Sequence, residues 1–319
     1  MIEVLEKHFT KVYNRSVRVD WEFINSIPRH RVFHEIAGLM NLRDLDEALF
    51  RLTWHKAPGS NGISPNAIKA LNRRHRIKLL NLIILWLNDA SFVYEDWLTA
   101  ALKVLPKKGN LLDTNNWRGI VLLDVVSKTV SIFINIRLQK LIKYRGTPLQ
   151  FGATPKSGCQ DGVFVLKTLL QERCEKSLDT WVVFVDLVKA CNSIQHKLID
   201  DTLEIFGVPY DIRTWIKKLY SESNVKIRVG KLESLIKHGC GVKQGDSLAP
   251  LLFIMVIQLA AECLNREFKR HEIKVSDVYV TTETIDAMLR KHNLTNTGAY
   301  SLTTILILLY IDDVDTMQH

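Results

Sequence analysis

Apolar and β-branched residues run without interruption through two stretches of the chain, and each run stops at an acidic residue. Residues 181–185 are followed by Asp186, and residues 304–311 are followed by Asp312 and Asp313. Runs of this kind predict strands that are buried on both faces. If the two strands lie side by side, three carboxylates gather at one edge of a sheet.

The spacing of apolar residues predicts most of the other elements. Helices are predicted over residues 65–88, 91–99, 121–143, 161–176, 193–206, 211–221, 247–264 and 282–291, with a helical extension at the N-terminus. Alternation predicts a strand over residues 101–105 that stops at Pro106, and a hairpin of strands 224–229 and 232–236. Proline and glycine make residues 57–62 a loop, and polar composition makes residues 267–302 a surface insertion.

Three adjacent carboxylates need a partner, because unpaired charges at the end of a buried strand are costly. A divalent metal ion is the simplest one, since Mg²⁺ binds carboxylate oxygens and retains substrate phosphates among its other ligands. The alternative is that Asp312 and Asp313 form an ordinary turn without a metal.

Composition changes this picture in one respect, which is the location of the positive charge. The formal net charge is +9, and residues 101–160 hold ten Lys or Arg against two Asp. A concentrated basic field favours a protein that binds a phosphate backbone. The alternative is a solvated helix face without a ligand.

The remaining composition excludes several classes of protein. The 319 residues are 47% hydrophobic, enough for two packed subdomains or one large domain. No apolar stretch reaches eighteen residues and the N-terminus does not resemble a signal peptide, so we expect a soluble intracellular protein without a membrane partner. Nucleus and cytoplasm are not distinguished. The five cysteines lack paired spacing, so we expect free thiols, mostly in the core, and neither zinc nor disulfides.

Five motifs in order resemble a reverse transcriptase of the non-LTR retrotransposon and group II intron kind. They are Lys56-Ala57-Pro58-Gly59-Ser60-Asn61-Gly62-Ile63, then Leu105-Pro106-Lys107-Lys108 with Trp117-Arg118-Gly119-Ile120, then Phe184-Val185-Asp186-Leu187-Val188-Lys189-Ala190, then Gly241-Val242-Lys243-Gln244-Gly245-Asp246-Ser247-Leu248-Ala249-Pro250, and finally Tyr310-Ile311-Asp312-Asp313. Residues 150–158 resemble the family's template-proximal loop in part. Together the motifs span residues 55 to 313.

The resemblance implies RNA-templated DNA synthesis by two-metal nucleotidyl transfer, with an RNA template, a DNA primer and dNTPs as partners. Asp186, Asp312 and Asp313 would be the catalytic residues and would hold Mg²⁺ or Mn²⁺. The nucleotide-binding residues would be Lys107, Arg118, Cys191, Lys243, Gln244 and Gly245.

The resemblance also implies an α+β right-hand polymerase fold with an antiparallel palm sheet packed on helices. A helical N-terminal extension would occupy residues 1–54, the fingers residues 55–180 and the palm residues 181–319. The chain ends six residues past Asp313, where the family continues into the thumb, so we expect an incomplete palm and no thumb. The alternative function is therefore that of a truncated, nonenzymatic remnant that binds nucleic acid or is inert.

Three residues depart from the family pattern at predicted site positions. Gly119 stands where proline is usual, and we expect it to loosen the backbone beside Arg118. Lys243 stands where arginine is frequent. Lysine keeps the positive charge but lacks the forked guanidinium group of arginine. Cys191 replaces the phenylalanine or tyrosine that excludes a ribose 2′-hydroxyl, so it would either relax the choice of sugar or simply pack in the core.

Overall fold

The computed structural model describes residues 2–89, 94–146, 150–152, 158–177, 180, 182 and 190–270. The two strands predicted to end at Asp186 and Asp312, and the helix predicted over residues 282–291, lie outside these residues. The chain divides into two compact units. Residues 1–145 and 189–253 form the first, and residues 146–188 and 254–319 form the second. The division into extension, fingers and palm stays a prediction.

Twelve α-helices occur in the described residues. They are α1 (Ile2–Tyr13), α2 (Trp21–Ser26), α3 (Leu42–Arg51), α4 (Pro65–Lys69), α5 (Arg73–Asn88), α6 (Glu95–Leu98), α7 (Val125–Arg145), α8 (Cys159–Glu175), α9 (Ala190–Ser193), α10 (His196–Ile205), α11 (Tyr210–Ser221) and α12 (Ala249–Arg270). The helix predicted over residues 65–88 is two helices, because Asn72 caps α5 by accepting a hydrogen bond from the His75 amide. Gly207, at φ +72°, ends α10 as predicted.

Four strands form one sheet in the first unit. They are β1 (Thr99–Pro106), β2 (Trp117–Leu122), β3 (Asn224–Val229) and β4 (Leu232–Lys237), in the order β2-β1-β3-β4. The predicted strand before Pro106 and the hairpin that turns at Gly230 are confirmed. The expectation of an antiparallel sheet is wrong for the sheet described here, because β1 and β3 pair in parallel. A long helical connection separates these strands, and parallel pairing requires such a crossover.

Helix α1 covers one face of this sheet. Its Leu5, Phe9 and Tyr13 are buried against Leu102 and Val121 and against apolar residues of β3 and β4. The N-terminal segment therefore completes the core beneath the sheet. The sequence had shown only its helical character, since the pairing depends on contacts far apart in the chain.

Gly119 lies in β2 at the closest approach between the sheet and α1. A Cβ atom at this position would lie 2.7 Å from the ring of Phe9 and 2.9 Å from Leu102 Cδ1. The expectation that Gly119 loosens the backbone is wrong, because the residue is buried and paired with Val104 of β1. Glycine is needed here for close packing, and not for flexibility.

The loop predicted at residues 57–62 is confirmed, and it docks on the start of α7. The side-chain amide of Asn61 donates to the buried carboxylate of Asp124, and Ser60 Oγ donates to the Thr99 carbonyl at 2.6 Å. A Cβ atom on Gly59 would lie 2.7 Å from the Asp124 backbone. Burial raises the pKa of Asp124 against the opposing effect of its hydrogen bonds.

In the second unit, α8 begins at Cys159 with the acidic first turn that the sequence predicted. The Gly158 amide donates to the Asp161 carboxylate at 2.9 Å, which satisfies an N-terminal donor of the helix. The ring of Phe151 packs on this helix at Gly162, where an added Cβ would lie 3.2 Å from the ring.

Candidate nucleotide and nucleic-acid site

The loop that carries Gln244 and Gly245 is hydrogen-bonded to β2. The Val121 amide donates to the Gln244 carbonyl at 2.7 Å. Gly245 has φ +116°, and a Cβ atom there would lie 2.2 Å from the Val121 carbonyl oxygen. A side chain at position 245 would therefore clash with the strand and strain the backbone, so glycine is required.

The same loop is also hydrogen-bonded to the segment that contains Cys191. The Val242 amide donates to the Cys191 carbonyl, and the Gly241 amide donates to the Ile194 carbonyl, both at 2.7 Å. Gly241 has φ +84° and lies so close that an added Cβ would be 2.7 Å from Asn192 Cα. The loop thus joins β2 to α9, which lie far apart in the sequence.

Lys107 and Arg118 lie on one hairpin, which β1 and β2 form. Arg118 on β2 is opposite Leu105 on β1, and the Lys107 amide donates to the Asn116 carbonyl at 2.7 Å. The Lys107 side chain is exposed and that of Arg118 is half-buried. The strand that carries Arg118 is the one bonded to Gln244, so the structure brings Arg118, Cys191, Gln244 and Gly245 into one region.

Lys243 differs from the other predicted nucleotide-binding residues because its side chain is buried, at 3% exposure. Its Nζ donates to the Leu219 carbonyl at 2.7 Å and lies 5.1 Å from the centre of the Tyr220 ring. Burial lowers the pKa of Lys243 to about 8, and the nearby Asp246 opposes this change. The ammonium group of Lys243 thus faces the protein interior. The predicted contact of this residue with phosphate is not tested by the structure and stays a prediction.

Cys191 is also buried, at 6% exposure. The five cysteines are free thiols, of which Cys191, Cys240 and Cys263 are buried while Cys159 and Cys174 are exposed. The expectation of free thiols mostly in the core is met by three of them. The role of Cys191 in the choice of sugar stays a prediction.

Two histidines lie beside the loop, of which His196 is half-buried and His238 is fully buried. His196 Nε2 donates to the Gly241 carbonyl at 3.0 Å, and the ring of His238 lies 5.6 Å from that of His196 and 4.9 Å from that of Tyr13. Within the described residues, neither ring nitrogen of His238 has a hydrogen-bond partner. Burial lowers the pKa of His196 to about 4 and that of His238 well below its usual value, and Lys243 adds repulsion to both.

Acid should therefore destabilise the protein through these histidines. In the unfolded chain a histidine binds a proton near pH 6.5, whereas His196 and His238 stay neutral in the fold, so stability is full above about pH 6.5 and falls below it. For His196 the loss on reaching pH 4 is of order 3 kcal/mol. We expect His238→Phe to reduce the fall in melting temperature between pH 7 and pH 5. The control is His34→Phe, which changes an exposed histidine and should leave the fall as it is in wild type. A fall in melting temperature of wild-type size in His238→Phe would contradict the assignment.

Four cations lie on the sheet face opposite α1, and the two that β3 adds, Lys226 and Arg228, were not predicted from the sequence. We call Lys103, Arg118, Lys226 and Arg228 the basic face. The residues that alternate with them along the strands, such as Gly119, Val225 and Ile227, are on the buried face of the sheet, which α1 covers. Ala101 pairs with Lys226, so the cations of β3 continue those of β1 and β2. The alternation of residues 224–229 was a sufficient signal for the β3 pair.

One acid partly balances the basic face. Glu233 on β4 lies 3.8 Å from Lys226 Nζ and 3.6 Å from Arg228 Nε. All three side chains are well exposed, so these ion pairs contribute little to stability.

Two of the basic residues in the segment 101–160 have structural roles. Arg137 donates to the carbonyls of Ile36, Gly38 and Leu39 and pairs with Asp44 at 3.1 Å. Arg145 donates to the carbonyls of Arg31 and Phe206. These arginines connect α7 to other segments of the protein. The predicted basic segment over residues 101–160 therefore contains at least two cations whose hydrogen bonds go to the protein itself.

The family model for reverse transcriptase (RNA-dependent DNA polymerase) matches residues 105–315, about two thirds of the chain. The chain belongs to the reverse transcriptase family. The matched range includes the end of β1, all of β2, the Gln244 loop and the three predicted catalytic acids. The resemblance to the reverse transcriptase family is therefore confirmed.

This reverse transcriptase chain is similar to polyproteins of non-LTR retrotransposons. It is 25% identical over 218 residues to the Pol polyprotein from the type-2 retrotransposable element R2DM of Drosophila melanogaster, covering 68% of this chain and 20% of that protein. It is 28% identical over 204 residues to the Pol polyprotein from the type-1 element R2 of Popillia japonica, covering 63% of this chain and 27% of the relative. A 149 kDa protein of transposon TX1 from Xenopus laevis is 28% identical over 160 residues, half of this chain and 12% of the relative. The chain thus spans between about an eighth and about a quarter of these relatives.

The predicted catalytic and metal-binding residues Asp186, Asp312 and Asp313 lie outside the described residues of this reverse transcriptase. Within the described part, no group of three or more His, Cys, Asp or Glu is placed to hold a metal ion. None of the described helices is long and apolar enough to cross a membrane.

Proposed function

We propose that this chain carries out RNA-templated DNA synthesis, with dNTPs as substrates and an RNA template and DNA primer as partners. The observation that carries the proposal is the Gln244 loop, which is bonded on one side to the strand of Arg118 and on the other to the segment of Cys191. Residues from two separate motifs, together with Cys191, thereby border one region. Membership of the reverse transcriptase family gives that region its chemistry.

In the proposed mechanism, Asp186, Asp312 and Asp313 hold two Mg²⁺ or Mn²⁺ ions. Carboxylates are the oxygen donors that these ions prefer. The bound ions would activate the primer 3′-hydroxyl and stabilise the pyrophosphate that leaves.

The protein residues contribute binding and orientation. Lys107 and Arg118 are suited to binding the nucleotide triphosphate, since an ammonium and a forked guanidinium on one hairpin can contact several phosphate oxygens. Gln244 and Gly245 present backbone without a bulky side chain, which allows a base pair to approach closely. We assign the hairpin of β1 and β2 to the fingers and residues 181–319 to the palm of a right-hand polymerase.

Primer extension tests this function. The full chain is incubated with poly(rA) annealed to oligo(dT), dTTP and Mg²⁺, and we expect extension that stops when EDTA is added. If the folded chain binds the hybrid but does not extend the primer with either Mg²⁺ or Mn²⁺, it is instead the nonenzymatic remnant.

Binding of nucleic acid should depend strongly on salt. Replacing Lys107, Lys108 and Arg118 by glutamine should flatten the slope of log affinity against log salt by roughly two to three units, because each phosphate contact contributes about 0.9 to the slope. The measurement is fluorescence anisotropy with a labelled RNA–DNA hybrid. A matched triple variant of exposed cations elsewhere, Lys7, Lys11 and Arg43, should leave the slope unchanged. Equal slopes in both triple variants would place the binding surface elsewhere.

The choice of sugar should depend on Cys191. A thiol is much smaller than the aromatic ring usual at this position, so wild type should incorporate rNTPs readily, and Cys191→Phe should raise the preference for dNTPs by about tenfold or more. The ratio of kcat/KM for dTTP and UTP on poly(rA) is the measurement. Cys191→Ala is the matched control. It adds no ring, so we expect no change in the preference for dNTPs. Selectivity that is already high in wild type and does not rise with Phe would show that this position does not select the sugar.

A further inference from the structure

We propose that Lys243 is a positioning residue, which together with Tyr220 and Asp246 anchors the Gln244 and Gly245 turn to the end of α11. This inference rests on the proposed function, because it concerns the backbone that would meet the nucleotide base pair. It assigns Lys243 to the support of the site, with no direct contact to the triphosphate.

Two side-chain hydrogen bonds connect the two ends of the turn to α11. Lys243 precedes the two residues and donates to the Leu219 carbonyl at 2.7 Å, and Asp246 follows them and accepts a hydrogen bond from Tyr220 Oη at 2.9 Å. Leu219 and Tyr220 are adjacent residues in the last turn of α11. Two neighbouring positions of one helix therefore hold the two ends of the turn.

The turn is also closed within itself. The Asp246 amide donates to the Lys243 carbonyl at 3.0 Å, which makes residues 243–246 a four-residue turn with Gly245 in its third position. The second carboxylate oxygen of Asp246 accepts from the Leu248 amide at 3.1 Å, just before α12 begins. Asp246 thus connects the turn to both α11 and the start of α12.

The chemistry of Lys243 supports an anchoring role. Burying an ammonium group is unfavourable unless it is hydrogen-bonded, and an apolar side chain of similar length would avoid that penalty. Carbonyls at the C-terminal end of a helix lack partners and carry partial negative charge, so Leu219 is a suitable acceptor for a cation. The negative charge of Asp246 and the face of the Tyr220 ring complete the surroundings of the group.

Amide hydrogen exchange tests the anchor without requiring enzymatic activity. The full chain is compared with Lys243→Met, which keeps the length of the side chain, and with Tyr220→Phe, which removes the hydroxyl that bonds to the Asp246 carboxylate and to the backbone of Lys243. We expect exchange at the Val121 and Val242 amides, which bond the loop to its two neighbours, to become about tenfold faster or more in both variants. Exchange at Ile227 in β3 should stay unchanged, and the exposed Lys231→Met should behave as wild type.

If Lys243→Met does not fold, Tyr220→Phe alone decides the question, because its packing is preserved. Wild-type exchange at Val121 and Val242 in Tyr220→Phe would overturn the proposal. In primer extension, the variants should raise KM for dTTP by about tenfold while kcat changes little, and a loss confined to kcat would also overturn it. Absence of extension by wild type would contradict the proposed function, whereas the exchange result would still decide the anchor.

Discussion

Replacing Asp186 and Asp312 together by asparagine is expected to reduce primer extension by at least about 1000-fold and to remove the stabilisation that Mg²⁺ gives the wild-type protein. In the proposed metal site the three carboxylates lie close together, where like charges repel one another and destabilise the fold without a cation. A metal ion that binds only the folded state raises the melting temperature, and amide side chains in place of two carboxylates largely abolish that binding. In the proposed mechanism, loss of the metal also removes the activation of the primer hydroxyl.

The measurement is the melting temperature with and without Mg²⁺ or Mn²⁺, alongside primer extension. Glu22→Gln/Glu35→Gln is the matched control, since it makes the same change in net charge at exposed positions. A metal-induced shift of wild-type size in the aspartate double variant would show that these carboxylates do not form the metal site.

Gly245→Ala is expected to destabilise the first unit by roughly 3 kcal/mol or more and to displace the Gln244 loop from its wild-type position. Two effects add at this residue. The backbone has φ +116°, where side chains are strained, and the new Cβ would lie 2.2 Å from the Val121 carbonyl oxygen. Relief of the clash requires the loop to move from β2, which breaks the bond between Val121 and Gln244.

Gly230→Ala provides a matched control for the backbone effect. Gly230 also has positive φ, at +62°, but an added Cβ meets nothing within 4 Å. Its cost should therefore be only about 1 kcal/mol, the strain of a left-handed alanine. Urea denaturation compares the two variants, and equal losses of unfolding free energy would show that the loop does not approach β2 as closely as described.

Local patterns in the sequence were enough to identify most elements and the family. The apolar spacing in α7, α8 and α10–α12, and the alternation around Gly230, depend on neighbouring residues, and the structure confirms these elements within a few residues. Motif order identified the reverse transcriptase family, because chemistry restricts residue types at fixed spacings.

The sequence by itself thus determined most of the helices, the hairpin at Gly230 and the family, whereas the tertiary structure decided what several site residues do. Parallel pairing of β1 with β3, the burial of Gly119 under Phe9 and the inward direction of Lys243 all depend on contacts between segments distant in the chain. Residue type predicts a charge or a missing side chain at these positions. Only packing decides whether that charge meets solvent or a buried carbonyl, because the energy of a buried group depends on the partners that the fold places around it.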